Sequence, residues 1–93
     1  MKKIAKTRSF NADYKRWKKS GNLPSNFHLV FKEVVELLSN EKVLPPNYQD
    51  HKLKGKYKDY RDCHIFPDIL LIYKVTEVSI ELYRLDTHSN LFK

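Results

Sequence analysis

The spacing of apolar residues divides this chain in two: a helical period of 3.6 holds up to about Asn40, and a period of two follows the loop after it. Phe10, Tyr14 and Trp17 recur at i, i+4 and i+7, which predicts a helix capped by Ser9, beginning at Phe10 and closed by Gly21. Pro24 and Ser25 restart a helix running to about Asn40, with Phe27, Val30, Phe31, Val34, Leu37 and Leu38 as its apolar stripe. Ahead of both, Lys2 to Arg8 reads as a short strand whose lysines suit a sheet edge.

Glu41 to Gln49 contains Pro45-Pro46-Asn47, which cannot continue a helix and forms the crossing to the sheet. Alternation then predicts strands near Tyr57–Phe66, Ile69–Thr76 and Val78–Leu85, turning at Pro67-Asp68 and Thr76-Glu77. The middle strand is apolar at nearly every position, as one covered on both faces must be. In the first, Tyr60, Asp62 and His64 share one face, and Arg61, Cys63 and Ile65 the other. Strict alternation would bury Arg84, so a bulge or the strand's end has to turn it outward. The expected fold is α+β: a short N-terminal strand, two helices and an antiparallel three-stranded meander, in one domain over residues 1–93.

Aromatic residues at 13% with only two glycines fit a folded chain rather than a disordered one. Charge adds a direction to the picture. Eighteen Lys and Arg against eleven Asp and Glu give +7, and the excess gathers in residues 1–19 and 51–64. Two basic segments on a small domain suit a polyanion, nucleic acid first. The charged face of the first helix (Lys15, Arg16, Lys18, Lys19) has three possible partners: RNA phosphates, an acidic protein or water alone. A single cysteine, Cys63, permits no internal disulfide and reads as a buried hydrophobe in a reducing compartment. The longest aliphatic run, Ile69 to Ile72, is far too short to span a membrane, so a cytoplasmic protein with no membrane partner is expected.

His51, His64 and His88, with Asp62 and Asp68, are the candidate chemistry, while His28 reads as a surface residue of the second helix. Imidazole exchanges protons near neutrality. Together with a basic surface, these groups match cleavage of RNA by its own 2′-hydroxyl: one group takes that proton, another protonates the leaving 5′-oxygen, and a cation steadies the phosphorane. On composition His64 and His88 are the acid-base candidates, Asp68 orients or activates a histidine, and Arg61 or Arg84 holds phosphate. Taken alone, each histidine is as often structural. The spacings of His51, His64, His88 and Asp68 match no compact ligand motif, so neither metal nor other cofactor is expected.

The order DHxLxGxYxxYRDCHIxPDxLLIYK followed by LxxxxTHSxLF, covering residues 44–92, resembles the YafQ-type branch of the RelE superfamily of bacterial toxins. The resemblance implies a ribosome-associated endonuclease of messenger RNA in a toxin-antitoxin pair. It implies an acidic, partly disordered antitoxin, and operator DNA met only through the complex of the two. It implies His51, His64, Asp68, His88 and Phe92 as active residues, with Asp62 and Arg84 on matching positions. Lys54 and Lys56 join Arg61, Asp62 and Arg84 as substrate-binding candidates. The chain departs from the pattern at Asp86, where the family usually has glycine, at Tyr57, where Trp is common, and at Asp59, where a small residue or Pro is common. Two other readings remain open on the residues: a non-catalytic module binding nucleic acid or protein through the same surface, and a metal-dependent nuclease.

Overall fold

The computed structural model describes residues 1–92 of the chain, and residue 93 lies outside the described residues. Strand β1 (Lys3–Lys6) leads into helix α1 (Arg8–Ser20) and helix α2 (Phe27–Ser39). A 3-10 turn at Pro46–Tyr48 precedes β2 (His51–Lys52), and a second at Gly55–Tyr57 precedes β3 (Arg61–Phe66). Strands β4 (Ile69–Val75) and β5 (Ser79–Asp86) follow, and a one-turn helix α3 (His88–Leu91) ends the described chain.

The expected meander is present as β3-β4-β5, but it is the middle of a mixed five-stranded sheet ordered β1-β5-β4-β3-β2. β1 runs parallel to β5, with Ile4 opposite Ile80, and takes the sheet edge its lysines suggested. β2 closes the other edge through His51 opposite Asp62 and Lys52 opposite Arg61. A two-residue strand carries no periodicity, so alternation could not register it. β3 starts at Arg61 rather than Tyr57, because Gly55 at φ 65° bends the preceding backbone into the 3-10 turn.

The helices start elsewhere than their sequence signals indicated. Thr7, not Ser9, caps α1: its Oγ1 accepts the Phe10 N–H at 3.0 Å and donates to the Tyr83 carbonyl at 2.9 Å. The cap thus also ties the helix to β5. Helix α2 begins at Phe27 instead of Pro24, whose carbonyl accepts the Phe27 N–H in a turn ahead of the helix. Its stripe is as read, with Phe27, Val34 and Leu38 buried and Val30, Phe31 and Leu37 half-buried.

Both helices cover one face of the sheet. Phe10, Phe27, Val34 and Leu38 pack with Cys63, Ile65, Ile69, Leu71, Tyr73, Ile80, Leu82 and Leu85 into one core. Leu70 and Ile72 point to the opposite face, yet each is only 1% exposed. That burial on both sides is what the unbroken apolar run of β4 required. Bulges adjust both neighbours of β4. One falls between His64 and Phe66, and the other makes Tyr83 the extra residue of β5, so that Leu82 and Leu85 both stay buried and Arg84 leaves their row.

Candidate active site

The face of the sheet not covered by α1 and α2 carries Asp62 and His64 from β3, with Tyr60 just ahead of the strand, the three that the alternation put together. Asp62 is 2% exposed, although it is not part of the core that α1 and α2 cover. Two histidines are placed beside it by the sheet, His51 on the neighbouring strand and His64 two residues along β3. His51 lies opposite it across the β2-β3 ladder, with Nδ1 3.0 Å from the Asp62 Oδ1. Burial pushes the Asp62 carboxyl above its usual range, and the positive fields of protonated His51, His64 and His88 offset only part of that rise. Among the described residues Oδ1 has no aligned hydrogen-bond donor.

Local backbone orients His51. Gln49 sits in the left-handed region at φ 50°, and its carbonyl meets His51 Nδ1 at 2.9 Å. A carbonyl only accepts, so Nδ1 holds a hydrogen and Nε2 is the nitrogen left for exchange with a substrate. Asp50, just before His51, reaches to the helix side. It accepts from Arg61 Nε at 3.3 Å, from Arg61 Nη2 at 3.1 Å and from the hydroxyl of Tyr73. Burial, with the neighbouring Asp50, pushes the Tyr73 phenol well up, so it stays a donor and fixes Asp50 from inside the core.

His88 opens α3 and is exposed. Thr87 Oγ1 caps this turn by accepting the Asn90 N–H at 3.2 Å, and the Phe92 N–H donates to the His88 carbonyl at 2.9 Å. The rings of His88 and Phe92 lie 5.0 Å apart. From Phe92 the aromatic contacts continue to Tyr57 at 6.2 Å, from Tyr57 to Tyr60 at 6.1 Å and from Tyr60 to Tyr83 at 4.9 Å. Lys56 stands 5.3 Å over Tyr57 and Lys74 5.8 Å over Tyr60. A row of half-buried rings edged by lysines therefore leads away from His88.

Other expected site residues are placed differently. Asp68 is exposed on the β3-β4 turn and makes no hydrogen bond or ion pair among the described residues. Lys54 and Lys56 are exposed on the segment around Gly55. Arg61 is held by Asp50, as described. Arg84 is held by Asp13, with Nε 2.7 Å and Nη2 3.2 Å from its two oxygens. Neither arginine stands free as a phosphate clamp. Cys63 is fully buried and burial pushes its thiol up, which suits the hydrophobe expected and not a nucleophile. His28 is exposed on α2, 3.2 Å from the Tyr14 hydroxyl, as a surface residue. Among the described residues no three His, Cys, Asp or Glu side chains gather as a metal site requires.

Sequence reading passed over Asp13, which is 2% exposed in α1. It accepts from Arg84, from Arg16 at 2.9 Å and from the Leu85 N–H at 2.9 Å. Burial works to raise its carboxyl, but these donors outweigh it and hold the group below its ordinary value. The signal was present: Asp13 stands three residues after Phe10, on the helix face that Phe10, Tyr14 and Trp17 define.

One consequence concerns stability. The folded-state pKa of Asp62 lies above the unfolded 3.8, so its ionisation costs stability as pH rises through that window. Asp62→Asn should therefore raise the melting temperature at neutral pH, the gain shrinking toward zero below that value. A variant less stable than wild type at neutral pH would overturn this account of the carboxylate.

The family of bacterial toxins of type II toxin-antitoxin systems described as YafQ matches residues 2–93. The mRNA interferase toxin YafQ of Escherichia coli K12 is 46% identical over 56 residues, 60% of this chain. That stretch spans 61% of the relative's length. A copper-bound mutant toxin from Helicobacter pylori superposes with a TM-score of 0.89 at 40% identity, covering 99% of this chain and 100% of that one. The E. coli DinJ-YafQ toxin-antitoxin complex matches with a TM-score of 0.83 at 34% identity, over 99% of this chain and 98% of that one. A family match over essentially the whole chain, joined to the shared five-stranded fold, makes this protein a member of the YafQ family of type II toxins.

Proposed function

We propose that this protein is a metal-independent endoribonuclease that cuts messenger RNA on the ribosome and is held inactive by a cognate antitoxin. The observation that carries the reading is His51 paired with the buried Asp62 across the ladder and His64 on the same strand face, with His88 near enough for its charge to act on that carboxyl. A general acid and a general base are thereby available on one face, within a protein of +7 charge.

In the proposed step the 2′-hydroxyl oxygen attacks the adjacent phosphorus as a base takes its proton. The bond from phosphorus to the 5′-oxygen then breaks as an acid protonates the leaving oxygen, giving a 2′,3′-cyclic phosphate and a free 5′-hydroxyl. His88 is the leading acid or base, and Asp68 its electrostatic partner or the complementary base. His51, through Nε2, and His64 contact phosphate or complete the proton transfer. Phe92 stacks on a base and positions it, and Tyr57, Tyr60 and Tyr83 extend that surface, since aromatic faces hold single-stranded bases with little regard to sequence. Lys54 and Lys56 meet phosphates. Arg61 and Arg84, each held by an aspartate, support the scaffold.

The antitoxin expected here is an acidic, partly disordered chain suited to a strongly basic surface. DNA is reached only through that complex.

The test is primer extension on a translated messenger, with and without ribosomes and with and without chelator. Ribosome-dependent cuts that persist in chelator are the expected result. Loss in chelator with recovery on adding metal would give the reaction to a metal ion. Binding without cuts would make the protein a non-catalytic module.

A further inference from the structure

The one-turn helix that carries His88 is too short to hold itself in place. Nucleating a helical turn is unfavourable, and four residues do not repay that cost in water. Something outside α3 must fix it. Asp86, immediately before the Thr87 cap, is 5% exposed although it is charged.

Its two oxygens divide the work. Oδ1 accepts the Thr87 N–H at 2.8 Å and the Asn90 side-chain amide at 2.9 Å, both from the turn itself. Oδ2 accepts from Arg16 Nη2 at 2.7 Å, with Arg84 Nη2 farther off at 3.8 Å. Arg16 is anchored in turn by Asp13, which also holds Arg84 and the Leu85 N–H. Two carboxylates and two guanidiniums thus form a neutral network from α1 to the end of β5, with α3 suspended from its last member.

We propose that Asp86 and Arg16 are positioning residues, a clamp that sets where His88 and Phe92 stand over the sheet. Glycine, usual here in the family pattern, would supply neither acceptor oxygen. In this chain the carboxylate bonds the first N–H of the turn and the side chain of Asn90, and carries the turn's load to α1. The clamp rests on the reading of His88 as an acid-base group only for its effect on cleavage; its effect on α3 does not depend on that reading.

Asp86→Asn keeps an acceptor oxygen for Thr87 but removes the charge facing Arg16, and Arg16→Gln removes the other end. Both would be studied as the full chain by amide hydrogen exchange and by single-turnover cleavage. The Leu91 and Phe92 amides donate within the turn, to the Thr87 and His88 carbonyls. Each variant should speed their exchange about tenfold or more, leave β4 amides unchanged, and lower the cleavage rate about tenfold with little change in KM. The double variant should be no worse than the poorer single one, because both break one chain of contacts. Arg16→Lys, which keeps the charge, should recover part of the loss.

Unchanged exchange at Leu91 and Phe92 would overturn the clamp, as would equal acceleration in β4, which reports general loosening. Faster exchange with undiminished cleavage would overturn its catalytic relevance. If exchange responds as expected but wild-type protein cuts no RNA, the clamp stands and the functional reading falls.

Discussion

His88→Ala should lower cleavage of a translated messenger by roughly 10² to 10⁴-fold, the usual contribution of a positioned acid or base. Its melting temperature should stay that of the wild type, because the side chain is exposed and the cap of α3 belongs to Thr87 and Asp86. The measurement is single-turnover primer extension at saturating ribosome, beside a thermal melt. Lost cleavage at unchanged stability would place the chemistry at His88. Equal cleavage by both proteins would move it to His51 or His64, which face the same carboxylate.

The largest loss of stability at a polar position is expected at Asp13. Asp13→Ala leaves two guanidiniums and the Leu85 N–H without their shared acceptor. Breaking a buried pair by removing one partner costs roughly 3–5 kcal/mol. The value here should fall at the low end, about 3 kcal/mol, because Arg16 and Arg84 keep contact with water, at 55% and 32% side-chain exposure. A urea titration with an unchanged slope would measure it.

The pH dependence has the opposite sign to that at Asp62. Asp13 is held below 3.8 in the folded state, so its contribution is present above that value and is lost as pH falls through the lower folded pKa. The gap between wild type and Asp13→Ala should accordingly close in strong acid. A gap that persisted there would assign the loss to packing in α1.

These two positions mark how far a reading of residues alone extends. His88 was offered as a candidate because the THS element is part of a specific ordered pattern, since on composition alone a histidine is as often structural. Asp13 was passed over because a charged residue in a lysine-rich helix reads as solvated, although it stands on the face that Phe10, Tyr14 and Trp17 define. Only the approach of β5 to α1 brings Arg84 and the Leu85 N–H to it, across a sequence separation of about seventy residues. The same holds for Arg61 and Arg84, which charge alone offered as phosphate contacts and which the fold commits to Asp50 and Asp13.

What the sequence determined by itself is everything set by local periodicity: the two amphipathic helices, the order of the three long strands, the doubly buried β4, and the shared face of Tyr60, Asp62 and His64. Each follows from chain geometry within a few residues. Tertiary structure alone decided the second edge strand β2, the parallel pairing of β1 with β5, the choice of a bulge to take Arg84 out of the buried row, and the placing of His51 opposite Asp62. Those depend on backbone hydrogen bonds and burial between segments far apart in the chain. Such contacts are closed by the packing of the whole domain, and no stretch of neighbouring residues encodes them.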